Sequence, residues 1–348
     1  IETVKKMADA FLAAGFTYFD TAACYHDGHS ETAFREAVAR RYPREAYTIT
    51  DKLTMFMVDS EEDFPGFFAG QLERLGVDYI DYYWLHGLEK NSYPKAEALH
   101  AFDFVRKLKE EGKVKHIGFS FHGDAAMLEE ILSRYPYLEY VQLQLNYLDW
   151  EDAHVQSRLC CETAASHGKP VIVMEPVKGG CLASVPEEAE KLLRRFHPEQ
   201  SAASWAIRFA ASQENVMVVL SGMSEEGQME DNLSYMKDFQ PVTPEETAIL
   251  AQVREIIQTS IAIPCTACRY CTEGCPQHIA IPEYFGFYND LKRFGPSQMR
   301  NVRRRFKQLT EKNGRPSDCI QCGRCEERCP QHLTIRKYLE DAASVLEV

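Results

Sequence analysis

Eight cysteines in the last quarter of the 348-residue chain form two runs of identical spacing. Each run reads C-x2-C-x2-C-x3-C and is followed by proline, and the second run repeats the first at an offset of 54 residues. Thiolates are preferred ligands of soft metals and metal clusters. The chain therefore contains an internal repeat built around metal chemistry. The runs consist of Cys265, Cys268, Cys271 and Cys275, and of Cys319, Cys322, Cys325 and Cys329.

Three kinds of site could use eight cysteines. A disulfide framework is typical of small exported domains, whereas this chain is large, has four scattered further cysteines and shows no export signal. Zinc sites usually take two cysteines from each segment. Three cysteines at three-residue spacing with a distant fourth match [4Fe–4S] ligation, so the pattern favours two [4Fe–4S] clusters over zinc.

The fourth cysteine of each run is expected to serve the other cluster. In the bacterial two-cluster pattern this cysteine crosses over, which assigns Cys329 to the first cluster and Cys275 to the second. Helical patterning at 282–293 and 296–310 separates the runs. This separation is longer than in small bacterial ferredoxins and resembles the helical ferredoxin domains of fumarate reductases.

A second group of chemically capable side chains lies at the ends of β-rich runs. Asp20, Lys52 and His86 end the first three runs, and Tyr25 lies just beyond the first. The β-rich runs alternate with amphipathic helical segments at intervals of roughly 30 residues, which predicts a parallel sheet and suits a TIM barrel. Because catalytic residues of such barrels lie at the carboxyl ends of strands, we expect the four side chains to meet. The runs are 18–21, 47–52, 79–86, 114–120, 140–147, 170–176 and 216–222.

The elements predict an α/β fold with two domains. Residues 1–260 form a TIM (β/α)8 barrel and residues 261–348 a helical ferredoxin-like domain. Seven strands are visible and the chain opens on a helix, so we expect the first strand to lie within some 30 upstream residues. No G-x-G-x-x-G occurs, and a Rossmann domain is unsupported.

These stretches resemble the aldo-keto reductase tetrad and its surroundings. The resemblance covers residues 1 to about 260 and points to the branch that carries a C-terminal [4Fe–4S] domain. The matching stretches are F-D-T-A-A-C-Y at 19–25, G-H-S-E at 28–31, T-D-K at 50–52, L-H at 85–86, I-G-F-S at 117–120, V-Q at 141–142, S-G-M-S at 221–224 and D-N-L at 231–233.

The resemblance implies an NAD(P)H-dependent enzyme that reduces a carbonyl or oxidises an alcohol. Tyr25 would protonate the developing alkoxide, and the ammonium of Lys52 would depress the tyrosine pKa. Asp20 would keep Lys52 charged and positioned. His86 would hydrogen-bond the carbonyl oxygen and orient the substrate. Met55, Phe56, Met57, Trp84 and Trp150 would line an apolar entrance or pack loops.

The resemblance also implies the nicotinamide contacts, with three departures from the family pattern. Phe121 replaces the asparagine that commonly follows the serine, and Met174 stands where an aromatic residue often stacks on the nicotinamide. A third position, Gln228, stands where NADPH-specific members place arginine, which favours NADH. The implied contacts are Ser120 and Gln142 to the carboxamide, Val177, Lys178, Gly179 and Gly180 to the pyrophosphate, and Ser224, Asp231 and Asn232 to the adenosine end.

The charge distribution bears on partners and location. The net charge of −13 makes nucleic acid and anionic membranes unlikely partners. Residues 265–348 carry 14 Lys and Arg against 10 Asp and Glu. Their basic run either docks an acidic electron carrier, such as a ferredoxin or flavodoxin, or forms a solvated helix face. This run contains Arg300, Arg303, Arg304, Arg305 and Lys307. Without a signal peptide or a membrane-length apolar run, a cytoplasmic location is expected.

Three hypotheses of function follow from the two halves. The first is a carbonyl reductase or alcohol dehydrogenase whose clusters are structural or sense redox state. The second is an electron-transfer oxidoreductase that couples ferredoxin or a flavoprotein to the barrel substrate through the clusters. The third is an interaction module on a barrel that has lost catalysis, and the intact tetrad argues against it.

Overall fold

The structure is a computed structural model that describes residues 1–294 and 299–347. It divides into two compact units, which we call the sheet unit (Ile1–Val177 and Ala203–Val242) and the helical unit (Lys178–Ala202 and Thr243–Val348). In this division the segment Lys178–Ala202 and the helix that follows Thr243 belong with the cysteine-rich part. The division expected at residue 260 remains a prediction.

The sheet unit is built on parallel strands in sequence order. In the described part of the chain, seven strands form one sheet with the order β1-β2-β3-β4-β5-β6-β7, and each neighbouring pair is parallel. The predicted α/β class is confirmed. The strands are β1 Tyr18–Asp20, β2 Thr48–Thr54, β3 Ile80–Leu88, β4 Val114–Phe121, β5 Tyr140–Gln144, β6 Val171–Met174 and β7 Val216–Val219.

Helices connect successive strands, as a parallel sheet requires. Helix α2 continues into a π-helical turn, Arg35–Ala39. The first ten helices are α1 Glu2–Ala13, α2 Ser30–Phe34, α3 Asp63–Leu75, α4 Ser92–Ala98, α5 Ala101–Glu110, α6 Ala125–Arg134, α7 Ser157–Ser166, α8 Glu187–Phe196, α9 Ala202–Ala211 and α10 Glu226–Met236.

The strand register sets which side chains share a face of the sheet. Asp20 on β1 is paired with Thr50 on β2, and Thr54 on β2 is paired with His86 on β3. Side chains alternate between faces along a strand, so Lys52 shares the face of Thr50 and Thr54. Three of the four expected catalytic residues therefore project from one face near the carboxyl ends of adjacent strands.

Aromatic side chains fill the same face below this level. Trp84 and Tyr140 are buried against each other, with ring centroids 4.8 Å apart. Gly118 on β4 is paired with both residues across the sheet. A Cβ at this position would lie 2.5 Å from the ring and the carbonyl oxygen of Tyr140. The glycine of the I-G-F-S stretch thus makes room for the tyrosine.

The helical unit repeats its helices at the cysteine offset. Helix α12 begins at Ile281 and α15 begins at Ile335, 54 residues later, and the two helices pack against each other. Their buried core includes Tyr284, Phe285 and Leu339. The internal repeat is therefore structural as well as chemical. The remaining helices of the chain are α11 Pro244–Ser260, α12 Ile281–Phe294, α13 Met299–Thr310, α14 Arg324–Glu327 and α15 Ile335–Leu346.

Helix α13 carries the basic run of the sequence. It is described from Met299 onward, so residues 296–298 of the expected helix and the side chain of Arg300 lie outside the described residues. Arg303, Arg304 and Lys307 are exposed. Among the described residues, no helix combines the length and the apolar character needed to cross a bilayer.

Candidate functional site

Lys52 is the centre of the candidate active site. Its side chain is fully buried, and Nζ donates hydrogen bonds to Asp20 Oδ1 at 2.9 Å, to Asp20 Oδ2 at 2.8 Å and to the carbonyl oxygen of Thr21 at 2.7 Å. Burial would lower the pKa of Lys52, but Asp20 and Tyr25 together raise it above its ordinary value. Lys52 is therefore an ammonium at neutral pH, fixed in place by Asp20.

Tyr25 lies directly beside this ammonium. Lys52 Nζ is 4.7 Å from the centroid of the Tyr25 ring, and the ring meets the His86 imidazole edge to face at 5.8 Å. Burial raises the pKa of Tyr25 above its ordinary value, although Lys52 acts in the opposite direction. Lys52 lowers the pKa of Tyr25 as expected, but the net pKa is raised because desolvation of the phenolate outweighs this one neighbouring cation. Tyr25 keeps its proton, as a general acid must.

His86 is neutral in this environment. Burial lowers the pKa of His86 well below its ordinary value, and the charge of Lys52 lowers it further. The Nδ1 atom of His86 lies 3.1 Å from the hydroxyl of Thr54. Sequence reasoning missed Thr54. The signal was available, since Thr54 follows Lys52 by two residues on one strand and therefore shares its face.

Apolar side chains beside the tetrad divide into exposed and buried ones. Phe56 is 72% exposed, and its ring lies 6.5 Å from the imidazole of His86. Met57 is also exposed, whereas Met55 and Trp84 are buried. Phe56 and Met57 are thus available to a ligand, while Trp84 packs inside the sheet unit.

The residues expected to hold the nicotinamide ring lie on β4, β5 and β6. Ser120 is buried, and its Oγ accepts a hydrogen bond from the Gly87 N–H at 2.7 Å. Its hydroxyl hydrogen remains available to a carboxamide oxygen. Gln142 is buried beside Ser120 in the strand register, and Met174 is half-buried at the end of β6. These three positions share the strand ends with the tetrad.

The segment after β6 has an unusual backbone. Lys178, Gly179 and Gly180 all have positive φ, at 48°, 59° and 92°. Gly180 has open space around its Cβ position. The side chain of Lys178 is buried. Val177 is the last residue of the sheet unit's first segment, and Lys178 and Gly179 belong to the helical unit. The glycines leave the main chain open to close approach by a ligand.

The residues expected at the adenosine end lie in the turn after β7, which contains Ser224, and on α10, which contains Gln228, Asp231 and Asn232. Ser224 donates its backbone N–H to Gln228 Oε1 at 2.7 Å. Asn232 donates from Nδ2 to Ser221 Oγ at 3.0 Å and accepts from Tyr235 OH at 2.5 Å. Asp231 is half-buried on the same helix. Ser224 and Gln228 are therefore joined by one hydrogen bond, and Asn232 is bound to Ser221 and Tyr235 in the same part of the sheet unit.

The eight cysteines of the two runs form two separate groups. One cavity is lined by the first three cysteines of the first run together with Cys329, and a second cavity by the first three cysteines of the second run together with Cys275. Each cavity thus combines three cysteines of one run with the fourth of the other. Ile281 lines both cavities. This grouping has the crossed arrangement inferred from the spacing.

The backbone around the two cysteine groups is also repeated. The residues flanking the second cysteine of each run have positive φ: Ala267 and Arg269 around Cys268, and Gln321 and Gly323 around Cys322. This conformation wraps the main chain around each cavity, and the Ala267 N–H donates to Cys265 Sγ at 3.4 Å. The cavities fit a group that is bound by four thiolates and receives N–H hydrogen bonds at sulfur.

The protonation of two of these thiols bears on metal binding. Burial raises the pKa of Cys265 and of Cys325 to about 11, so binding of iron must displace protons from these thiols. Among the described residues, no group of three or more His, Cys, Asp or Glu side chains is placed to hold one metal ion.

Comparison with known proteins identifies both parts of the chain. Residues 1–255 match the family model described as "Aldo/keto reductase family". The chain belongs to the aldo/keto reductase family. Residues 264–334 of this aldo/keto reductase match the 4Fe-4S dicluster domain. The resemblance inferred from the tetrad and the cysteine runs is confirmed, and the protein is an oxidoreductase of this family that carries an iron–sulfur domain.

Individual relatives are distant in sequence. An aldo-keto reductase of Mycobacterium sp. (strain KMS) is 27% identical over 205 residues, which are 56% of this chain and 70% of the relative. The NADH-specific methylglyoxal reductase of Escherichia coli (strain K12) is 28% identical over 187 residues, which are 48% of this chain and 54% of that protein.

Solved structures agree with the fold of the reductase part. The holo form of aldo-keto reductase AKR11C1 from Bacillus halodurans has a TM-score of 0.57 and 26% identity, covering 72% of this chain and 85% of its own. An aldo-keto reductase from Klebsiella pneumoniae in complex with NADPH has a TM-score of 0.59 at 19% identity, covering 73% and 85%. The second likeness supports the fold alone.

Proposed function

We propose that this aldo/keto reductase reduces a carbonyl compound with NAD(P)H, or oxidises the corresponding alcohol, at a tetrad of Asp20, Tyr25, Lys52 and His86. The observation that carries the proposal is the buried Lys52–Asp20 ion pair beside the Tyr25 ring. A buried ion pair of lysine and carboxylate does not require a protonated tyrosine and a neutral histidine beside it for stability, so these neighbours point to a chemical role. Together these groups supply an acid, a cation and a hydrogen-bond donor.

Each side chain has one role in this mechanism. A bound dihydronicotinamide supplies the hydride. Tyr25 donates its proton to the carbonyl oxygen, and Lys52 stabilises the phenolate that remains. Asp20 holds the ammonium in place through both carboxylate oxygens. His86, with Nδ1 turned to Thr54, offers Nε2–H to the same carbonyl oxygen and orients the substrate.

The nicotinamide site is proposed on the residues that line the strand ends. Ser120 and Gln142 would bind the carboxamide, and Met174 would pack against the ring with a polarizable thioether. Val177, Lys178 and Gly179 would approach the pyrophosphate. The exposed Phe56 and Met57 favour a substrate with an apolar part. Ser224, Gln228, Asp231 and Asn232 would form the adenosine end.

We expect NADH to be preferred, because Gln228 cannot neutralise a 2′-phosphate. The similarity to the NADH-specific methylglyoxal reductase of Escherichia coli supports this direction. Gln228→Arg is expected to tighten NADPH binding by about tenfold to a hundredfold, the value of one charged hydrogen bond. Fluorescence titration of both nucleotides measures it. Gln228→Met, which adds no charge, is the control, and equal gains for NADH and NADPH would contradict the assignment.

We further propose two [4Fe–4S] clusters in the helical unit. Cys265, Cys268, Cys271 and Cys329 would hold one cluster, and Cys319, Cys322, Cys325 and Cys275 the other. Arg269 lines the first cavity, and Arg324 and Arg336 line the second. Guanidinium groups so placed offset the negative charge of a cluster with four thiolates. The cytoplasmic location inferred from the sequence remains a prediction.

A second candidate function rests on the placement of the cysteine groups. Ile281 lies between the two cavities, and each cavity has one exposed cysteine, Cys268 or Cys322. Such clusters could exchange electrons with each other and with a carrier outside. The protein would then couple a ferredoxin or flavoprotein to its carbonyl substrate. This alternative requires the clusters to change redox state during turnover.

An anaerobic assay distinguishes the two functions. The full-length protein is mixed with NADH or NADPH, with and without a panel of aldehydes and ketones, while nicotinamide and cluster absorbance are followed together. Carbonyl-dependent oxidation of nicotinamide with unchanged clusters is expected. Clusters that bleach with reduced ferredoxin and recolour on adding substrate would favour the electron-transfer function. No nicotinamide oxidation with any carbonyl would contradict the proposed reductase.

A further inference from the structure

Two buried carboxyl groups lie behind Lys52. Asp51 precedes Lys52 on β2, so its side chain projects from the opposite face of the sheet, together with its β3 partner Tyr83. Helix α3 packs against β2, and helix α2 packs against α3. Glu31 on α2 reaches the same place, and both carboxyl groups are fully buried. None of these groups has a role in the proposed reaction.

The hydrogen bonds of the two carboxyl groups are unequal. Glu31 accepts hydrogen bonds from Arg74 at both oxygens, from Nε and from Nη2, the latter at 3.2 Å. Asp51 Oδ1 accepts the backbone N–H of Lys52 at 2.8 Å. Among the described residues, Asp51 Oδ2 is buried without a donor, next to Glu31. A single proton on one of the two carboxyl groups would give both of them a hydrogen bond, because a protonated carboxyl group donates to a neighbouring carboxylate.

The same residues hold the main chain at Lys52. The β1 register ends at the pair Asp20–Thr50, so β1 gives Lys52 no strand partner. Its carbonyl oxygen instead accepts a hydrogen bond from Gln71 Nε2 at 3.0 Å, and Gln71 Oε1 accepts one from Tyr83 OH at 2.6 Å. Its N–H is bound by Asp51. Buried side chains therefore fix both polar main-chain groups of Lys52.

We propose that Asp51 is a positioning residue for Lys52, and that Asp51 and Glu31 share one proton at neutral pH. The positioning role rests on the proposed function of Lys52. The shared proton does not, because it follows from the burial and contacts of the pair. While the proton is present, Asp51 stays hydrogen-bonded between Glu31 and the Lys52 N–H. The main chain of β2 at Lys52 then stays in position.

The charged and titratable surroundings favour this protonation state. The pair faces Arg74 on α3, Lys52 on β2, Tyr83 on β3 and the Cys24 thiol after β1. Arg74 contacts Glu31 and offsets one negative charge, while Lys52 Nζ is bound by Asp20 on the other face. Burial, and then the charge of Glu31, raise the pKa of Asp51 well above its ordinary value.

The sign of the pH dependence follows from the proton count. The folded protein keeps a proton that an unfolded aspartate releases at about pH 4. Stability is therefore lost as the pH rises from there toward the raised pKa of Asp51 in the folded protein. Over that range, one retained proton changes the folding equilibrium constant by about tenfold per pH unit. Asp51→Asn places a neutral group of the same shape there and removes this dependence.

Infrared spectroscopy tests the shared proton without any assay of activity. At about pH 8 exposed carboxyl groups are ionised, so a carbonyl stretch of a protonated carboxyl group comes from a buried one. We expect this band in the full-length, cluster-loaded protein and its loss in both Asp51→Asn and Glu31→Gln. A band that is absent from the wild type, or retained in both variants, would overturn the shared proton.

Denaturant unfolding tests the linkage. The three tryptophans of the chain all lie in the sheet unit, so their fluorescence follows that unit. Relative to the wild type, Asp51→Asn should gain stability steadily between about pH 5 and pH 8. The matched control is Asp81→Asn, since Asp81 is buried on β3 but paired with Arg44 and Lys115. Parallel stability curves for Asp51→Asn and wild type would contradict the proposal.

Kinetics test the positioning role. Asp51→Ala should lower kcat about tenfold to a hundredfold, the range expected when a catalytic group is slightly misplaced. The KM for the nicotinamide should change little. Asp51→Asn, which still accepts the Lys52 N–H, should recover most of the lost kcat and flatten the alkaline limb of the pH profile. Equal losses in both variants would overturn positioning. A wild type without reductase activity, but with the infrared band, would refute the proposed function alone.

Discussion

Tyr25→Phe is expected to abolish carbonyl reduction while nicotinamide binding survives. The phenyl ring can keep its packing beside Lys52 and its edge-to-face contact with His86. The substitution removes the hydroxyl that donates the proton, and a positioned acid of this kind contributes about 10²- to 10⁴-fold in rate. Steady-state assays with a reactive aldehyde, together with nucleotide titration, measure the two effects separately.

The control for this prediction is Tyr82, a tyrosine on β3. Tyr82 stacks on His116 and packs beside Tyr140, and Tyr82→Phe removes a hydroxyl from outside the tetrad. Its turnover should stay within a few-fold of the wild type. Unchanged turnover in Tyr25→Phe would exclude Tyr25 as the acid. Loss of nucleotide binding in the same variant would indicate a structural role instead.

Cys329→Ser is expected to remove the cluster of the first cysteine run, not that of its own run. Cys329 lines the cavity of Cys265, Cys268 and Cys271, and serine is a poor substitute for a soft thiolate ligand. Iron content should fall to about half, because one of two four-iron clusters is lost. Anaerobic iron analysis and electron paramagnetic resonance of the reduced protein measure the loss.

Double variants decide between crossed and uncrossed ligation. Cys329→Ser combined with Cys265→Ser should retain one cluster, because both changes affect the same cavity. Cys329→Ser combined with Cys319→Ser should lose both clusters. The reverse pattern would show that each run binds its own cluster. Cys160→Ser, a change at a buried cysteine of α7, should leave the iron content unaltered.

Local sequence patterns predict most of the fold and the identity of the reactive groups. The C-x2-C spacing fixes which thiols can reach one cluster, and this constraint is visible in the sequence itself. Alternating strands and helices likewise predict a parallel sheet. For the same reason Asp20, Lys52 and His86 could be expected together, since parallel strands bring their carboxyl ends to one edge.

Contacts between segments that are distant in the sequence could not be predicted from such local patterns. The strand spacing indicates that Thr54 shares a face with Lys52, but its contact with His86 depends on the β2–β3 register. Trp84, which could have lined an entrance or packed inside, is fully buried against Tyr140. The segment Lys178–Ala202 follows a strand of the sheet unit but belongs to the helical unit. Each outcome depends on what other elements place nearby.

The sequence by itself determined the cysteine repeat, the parallel α/β class and the family they indicate, and it predicted the tetrad. The tertiary structure decided the protonation states of the titratable side chains. Tyr25 has a raised pKa because burial outweighs Lys52, and Asp51 lies against Glu31 only because α2 and β2 pack around α3. Residue types and spacing are local properties of the chain, whereas desolvation and the distance between charges arise only when separate elements pack together.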